Sequence, residues 1–350
     1  MRTKLLTSGV LLLLLLGYFL WPAEDADFVY KGPKLRGLSF VAPRSPIDSL
    51  QMAASNRVGG NYLAFMPYAF LPEGESELRF VKLNENLEQR HQWWGEQPAG
   101  VASCIQMAKA QGLGVLLKPH IWSGRGTFTG DLSFASEAEW QHFEKTYRAY
   151  LLQYAQLAEE YKVEMFCIGT EMAKMVEERP QFWKTLIHDI RQCYGGKLTY
   201  AENWDSYADV PFWKSLDFIG IDGYFPLSSE RDPDLETLKK GWKKHLKGLG
   251  KTASTWRKPI LFTEFGYRSC DFSAEKPWEI KYDLPSNFDL QARAFEACFQ
   301  EVWKQQWFAG GFVWKWFPDK DPERESRDKF CPQHKPAEEI IKKYYRAQLR

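Results

Sequence analysis

From Leu35 onward the chain alternates short apolar runs with longer amphipathic stretches, and this alternation restricts its fold more than any other feature. The apolar runs are Leu35–Val41, Asn61–Met66, Leu113–Pro119, Glu164–Gly169, Lys197–Ala201, Phe218–Ile221, Ile260–Phe265 and Gly311–Trp316. Their length and apolar character suit buried strands. Between them, helical periodicity runs through Ile47–Val58, Pro98–Gln111, Glu137–Glu160, Pro180–Tyr194, Pro233–Lys251 and Leu290–Gln306, and Pro336–Leu349 reads as a closing helix. Strands separated by helices of this length pair in parallel through crossovers. Eight of them within about 300 residues predict an α/β fold, a single (β/α)₈ TIM barrel over residues 35–350. A dinucleotide-binding sheet would carry GxGxxG after its first strand; Phe40-Val41-Ala42-Pro43-Arg44-Ser45-Pro46 stands there instead.

Residues 1–27 are expected to lie outside that barrel. Met1-Arg2-Thr3-Lys4 is basic, Leu5 to Trp21 is nearly all apolar, and Glu24, Asp25 and Asp27 follow. The pattern predicts a signal peptide or a single membrane anchor. The apolar stretch is short for a span, and no clean small-x-small cleavage site follows it. Both outcomes leave the remainder outside the cytoplasm, whether secreted, periplasmic or anchored to the outer side of a membrane. A formal charge of +1 offers no electrostatic reason for a nucleic-acid partner. Of the six cysteines, Cys104, Cys193 and Cys298 fall in helical patterns and Cys167 in a strand, as buried thiols do. Cys270 and Cys331 fall in loops and are candidates for a bridge in an oxidising compartment.

Two carboxylates occupy unusual places. Glu171 closes the apolar run Phe166-Cys167-Ile168-Gly169-Thr170, and Glu264 lies at the end of Ile260-Leu261-Phe262-Thr263. The fourth and seventh strands of an eight-stranded ring face each other, so both side chains can converge over its mouth. A charge there is costly unless it is paired or has chemistry to perform; the pairing alternative is a structural ion pair with Lys118 or Arg36. Cleaving a glycosidic bond needs one protonated carboxyl to donate to the leaving oxygen and one ionised carboxylate to attack carbon or activate water. Mutual repulsion and unequal burial separate two such pKa values. The residues alone leave open which glutamate plays which part.

The neighbouring strand ends add a polar cup of candidate substrate-binding residues. Lys118 and His120 share one side at the third strand if it continues past Pro119, although His120 also reads as a satisfied core histidine. Asn203 and Trp204 follow the fifth strand, offering an amide and a stacking ring. Asp222 and Tyr224 end the sixth, with Tyr224 placed to hydrogen-bond a nucleophile. Either Trp314 or Trp316 of the eighth strand is expected to floor the sugar site. The chain contains 15 Trp, a supply of flat rings suited to the apolar faces of sugars. The insertions Tyr68–Pro98 and Trp122–Ala135 are expected to overhang the same rim. A zinc site would need converging His and Asp, yet His142, His188, His245 and His334 lie on helices or distant loops, with no CxxC or Cys/His spacing. No GxSxG turn supplies a serine nucleophile.

Taken together, Ile168-Gly169-Thr170-Glu171, Leu116-Leu117-Lys118-Pro119-His120, Gly220-Ile221-Asp222-Gly223-Tyr224-Phe225-Pro226 and Thr263-Glu264-Phe265-Gly266 resemble glycoside hydrolase family 113. The resemblance runs from about Leu35 to the final helix. It implies Glu171 as acid/base, Glu264 as nucleophile, retention through a glycosyl-enzyme intermediate, and no metal or cofactor. It further implies a polysaccharide or oligosaccharide substrate centred on β-1,4-mannan, with a chitosanase-like or other β-glycan hydrolase as the alternative. A non-catalytic glycan-binding barrel is the reading from a different class. Thr170 departs from the wider clan, where Asn precedes the acid/base and contacts the sugar 2-hydroxyl. Asn203 and Lys118 are candidates to replace that contact.

Overall fold

The computed structural model describes residues 27–83, 92–124, 128–279, 283–318 and 321–347. The expected signal or anchor, apart from Asp27, lies outside the described residues, as do His91 and Gly126 of the two rim insertions. Ten strands are present among the described residues: β1 (Leu35–Phe40), β2 (Tyr62–Phe65), β3 (Tyr68–Leu71), β4 (Gly114–Leu117), β5 (His120–Ser123), β6 (Met165–Thr170), β7 (Lys197–Asn203), β8 (Ile219–Asp222), β9 (Ile260–Phe265) and β10 (Phe308–Trp316). Eight of these close a barrel in the order β1-β2-β4-β6-β7-β8-β9-β10, each parallel to its neighbours. The expected barrel is therefore present, with glutamates at the ends of its fourth strand, β6, and its seventh, β9.

Strand alternation sorts the side chains into two layers. Inward residues including Leu35, Ala64, Leu116, Met165, Cys167, Ala201, Leu261 and Phe312 fill the barrel, so it is a packed core and not a pore. Outward residues such as Leu63, Val115, Phe166, Ile168 and Phe262 join the helices in a second, larger core.

The helix Glu137–Glu160 shows how that shell is built and what it does for the barrel mouth. Ser136 and Glu139 form a reciprocal capping box at its start, satisfying two otherwise orphan amides. Trp140, Phe143, Tyr147, Tyr150, Leu151, Tyr154 and Ala158 recur at helical spacing and are buried. Each large side chain contributes roughly 1.5–3 kcal/mol by leaving water. From this face the Tyr150 hydroxyl donates to the carbonyls of Pro67 (2.8 Å) and His120 (3.1 Å). These carbonyls sit where β2 and β4 leave the barrel.

At that point two prolines reshape the sheet. Phe65 pairs with Leu117, and beyond Pro67 and Pro119 Tyr68 pairs with His120 at the same offset. Proline has no amide to donate to a ladder, so one long pairing splits into a barrel part and a two-stranded extension, β3–β5, above the rim. Within the insertion Tyr68–Pro98, the described stretch from Leu78 to Leu83 takes a course of its own. It descends along the helix Glu137–Glu160, with Leu78 N–H donating to Thr146 (3.1 Å) and Leu83 N–H to Gln153 (3.1 Å). Cys270 and Cys331 are both buried and no disulfide joins them, so the considered bridge is not formed. Among the described residues no helix is long and apolar enough to cross a membrane.

Candidate active site

A cleft of about 350 Å³ opens over the C-terminal ends of the strands, and Glu171 and Glu264 both line it. Each is set by an irregularity in its strand. Between β6 and β7, Cys167 pairs with Thr199 but Thr170 with Ala201, which inserts one extra residue just before Glu171. Glu171 itself has φ 48°, a left-handed conformation that costs a non-glycine residue roughly 1–2 kcal/mol. Its amide donates to Ala201 O at 2.7 Å, and the next amide, of Met172, donates to the buried Tyr200 hydroxyl at 2.8 Å. Between β8 and β9, Phe262 pairs with Ile221 but Glu264 with Asp222, again one residue out of step. Bulges of this kind re-aim side chains beside active sites. Gly266 completes the turn, because a Cβ there would stand 2.4 Å from Trp314 O.

Beneath Glu264 lies a buried charge cluster. Lys118 Nζ donates to Glu264 Oε1 at 2.6 Å and to both Asp222 oxygens at 3.0 and 3.1 Å. Thr263 donates to Asp222 Oδ1 at 2.7 Å, and the Tyr224 hydroxyl donates to Glu264 Oε2 at 2.8 Å. The ion pair considered as an alternative to catalysis is thus real, with Lys118 as partner, yet Glu264 still faces the cleft. Arg36 is not part of it; its Nε donates to Gly59 O.

This environment separates the two carboxyls. Burial pushes Glu171 well above the usual carboxylate range, reinforced by Asp222 and Glu264. Burial and Asp222 raise Glu264 to about 7, while the Lys118 ammonium and the Tyr224 hydroxyl hold it down. Hydrogen bonds from a cation and a phenol favour the ionised form, so Glu264 is the more readily ionised of the two and Glu171 the one that holds its proton to higher pH. Burial would discharge Lys118, but the Asp222 and Glu264 carboxylates overcome that and raise its pKa. His120 is pushed well below its ordinary value by burial and by Lys118, and is neutral.

The other expected site residues divide. His120 and Asp222 line the cleft. His120 is not the satisfied core histidine that was the alternative: its Nε2 has no hydrogen-bond partner, with Glu264 Oε1 3.7 Å away. Lys118 was expected to touch sugar, but it is 0% exposed and its donors are spent on Asp222 and Glu264. Tyr224 is also buried, and its hydroxyl makes the expected hydrogen bond to Glu264. Of the two tryptophans, Trp314 lines the cleft and Trp316 is fully buried core. Asn203 turns its side-chain oxygen to Trp204 N–H (3.0 Å), and Trp204 stacks on Trp278 with ring centres 5.4 Å apart. Neither lines this cleft, so the proposed replacement of the 2-hydroxyl contact by Asn203 or Lys118 finds no support in their positions. Thr170 itself does line the cleft.

Two residues were not anticipated. Tyr68 lines the cleft and packs its ring against His120 at 5.1 Å. It is the first residue of a strand that follows a proline inside an expected loop. Glu202 is buried and accepts from Tyr200 OH (3.1 Å), Ser206 (3.0 Å) and Asn203 N–H (2.8 Å), with burial raising it to about 6. Its acidic character in an apolar run was visible in the sequence.

A parallel barrel holding two carboxyls in different states at the ends of its fourth and seventh strands has the arrangement of a barrel glycosidase. The chain belongs to glycoside hydrolase family 113, whose family model matches residues 84–335. Solved structures share the fold. A β-mannanase from Alicyclobacillus acidocaldarius, in complex with ManMIm, is 24% identical with a TM-score of 0.78, covering 91% of this chain and 99% of its own. A second family 113 β-1,4-mannanase is 24% identical with a TM-score of 0.76, covering 90% and 100%. A β-glucuronidase from Ruminococcus gnavus is 13% identical with a TM-score of 0.62, covering 90% of this chain and 50% of its own. No curated protein matches the chain significantly.

Proposed function

We propose that this protein is a retaining glycosidase that cleaves β-1,4-linked mannan or mannooligosaccharides, with Glu264 as nucleophile and Glu171 as acid/base. The observation that carries the reading is the unequal setting of the two carboxyls: Glu264 is bonded to Lys118 and Tyr224, whereas Glu171 has no such donor among the described residues to offset the desolvation and the Asp222 and Glu264 charges that raise it. In the first step a Glu264 oxygen bonds to the anomeric carbon. The bond from that carbon to the leaving oxygen breaks, and the leaving oxygen takes the Glu171 proton. Glu264 thereby loses its negative charge. Since that charge is one of the causes raising Glu171, its disappearance eases proton release at the moment it is needed. In the second step Glu171 takes a proton from water, the water oxygen bonds to the anomeric carbon, and Glu264 leaves as carboxylate. Trp314 offers an indole face to the sugar ring.

The direct test is reducing-end release from mannan and mannohexaose by the purified protein, with chitosan as a parallel arm. Hydrolysis of chitosan without turnover of either mannan substrate rejects the substrate assignment. We further infer that residues 1–27 act as a signal or an anchor, from their basic start, apolar run and acidic flank. Cell fractionation with N-terminal sequencing tests that placement; an intact N-terminus on a soluble cytoplasmic protein rejects it.

A further inference from the structure

We propose that the β3–β5 extension carries a second sugar-binding subsite, formed by Phe70 and Trp122, one ring outward from the carboxylates. The proposal rests on the glycan-hydrolase reading above and adds where the chain of sugars runs. Along the extension, Tyr68 pairs with His120 and Phe70 with Trp122, so these four side chains stand on one face in two rows. The inner row is tied to chemistry: His120 lies 3.7 Å from Glu264, and Tyr68 packs on His120. The outer row is two residues further along each strand, about 6.6–6.8 Å at the usual strand rise. That step is somewhat longer than the advance of one sugar in a β-1,4-linked chain.

On β3 the two faces of this small sheet are unlike. Ala69 and Leu71 on the other face are buried, at 0% and 3% exposure. Phe70 and Trp122 are 42% and 60% exposed, and Trp122 lines the same cleft as Glu171 and Glu264. Isolated exposed aromatics are ordinary on protein surfaces. Two in register, with Trp122 lining the cleft and Phe70 beside it, make an apolar platform of the kind that stacks against the C–H face of a hexose. The unpartnered Nε2 of His120 supplies a polar group to the inner ring. The occupant is therefore a β-linked hexose chain extending past the scissile bond over β5.

The test compares Trp122→Ala and Phe70→Ala with wild type on oligosaccharides of two to six sugars, in mannose, glucose and glucosamine series. Each variant should lower the ratio of kcat/KM for the hexasaccharide to that for the disaccharide by about tenfold, equivalent to about 1.4 kcal/mol. Calorimetry of the same ladder on Glu171→Gln protein, with and without Trp122→Ala, reads the subsite without turnover. Length dependence equal to wild type in both measurements overturns the proposal. Failure of the mannan reading shows separately, as a wild-type preference for another series, and the length ratio in that series still decides the subsite.

Discussion

Lys118→Met removes a charge while keeping most of the side chain's volume, and its consequences can be worked through in numbers. The ammonium donates to Glu264 at 2.6 Å inside a fully buried cluster. A hydrogen bond to a charged group contributes about 1.5–3 kcal/mol. Losing it from the ionised form alone raises the Glu264 carboxyl by roughly one to two pH units, at about 1.36 kcal/mol per unit. Starting from about 7, the acidic limb of the kcat/KM profile should move to about pH 8–9. At neutral pH the ionised fraction falls from about half to roughly 1–10%, a loss of about 5- to 50-fold from ionisation alone. Stability should suffer as well, by about 3–5 kcal/mol, because one partner of a buried pair is gone. A carboxyl raised in the folded state lends stability below its unfolded value and loses it as pH rises through the folded one. The destabilisation of Lys118→Met should therefore grow with rising pH and shrink in acid. The assays are kcat/KM on mannohexaose and urea denaturation, each across a pH series. A rate lowered equally at every pH, with the acidic limb unmoved, would refute the reasoning and leave Lys118 a packing role only.

Other substitutions test the remaining parts. Glu171→Gln should lower kcat/KM, which reports the first step, by about 10²–10⁴ on mannohexaose, and by much less on an aryl glycoside whose leaving group needs no proton; equal losses of kcat/KM on both count against an acid role. Tyr224→Phe deletes the 2.8 Å bond to Glu264 and should cost kcat/KM at neutral pH about tenfold, with the acidic limb moving upward in the pH profile. Glu202 is raised from 4.5 to about 6 by burial, so its contribution is intact below the unfolded value and lost as pH rises through the folded one. Wild type should thus lose on the order of 2 kcal/mol from this group between about pH 4 and 7, and Glu202→Gln should lose none of it, as read by denaturant titration at the two pH values.

Much of the barrel is legible in the sequence because its strands are buried on both faces and read as short apolar runs. Ile260–Phe265 and Glu137–Glu160 have the same bounds in sequence and structure. The first helix is less regular: Ile47–Val58 resolves into the α-helical turn Ser49–Met52 and a 3₁₀ segment, Ala53–Val58. The β3–β5 extension is harder to read. Pro67 and Pro119 look like strand ends, and the pairing that resumes beyond them depends on two segments far apart in sequence. Tyr68 was hidden for that reason. Lys118 was visible as an unusual residue, but its burial was not, since that depends on Asp222 and Glu264 arriving from other strands.

The aim of individual site residues depends on bulges, and a bulge is a property of a pair of strands. Period-two reasoning gives Trp314 and Trp316 the same face. In the structure Leu38 pairs with Val313 and Phe40 with Trp316, an extra residue in β10, and the two tryptophans part: one lines the cleft and the other is core. Thr263 and Glu264 are consecutive, so a regular strand would send them to opposite faces. With β9 out of step against both β8 and β10, Thr263 reaches Asp222 while Glu264 reaches Lys118, which is bonded to that same Asp222. Glu171 follows a third such irregularity in β6. A single strand's side-chain pattern carries no record of its neighbour's register. A carboxylate in an apolar run therefore announces chemistry, because its burial must be offset by something, whereas the direction it faces is decided by the backbone of the next strand.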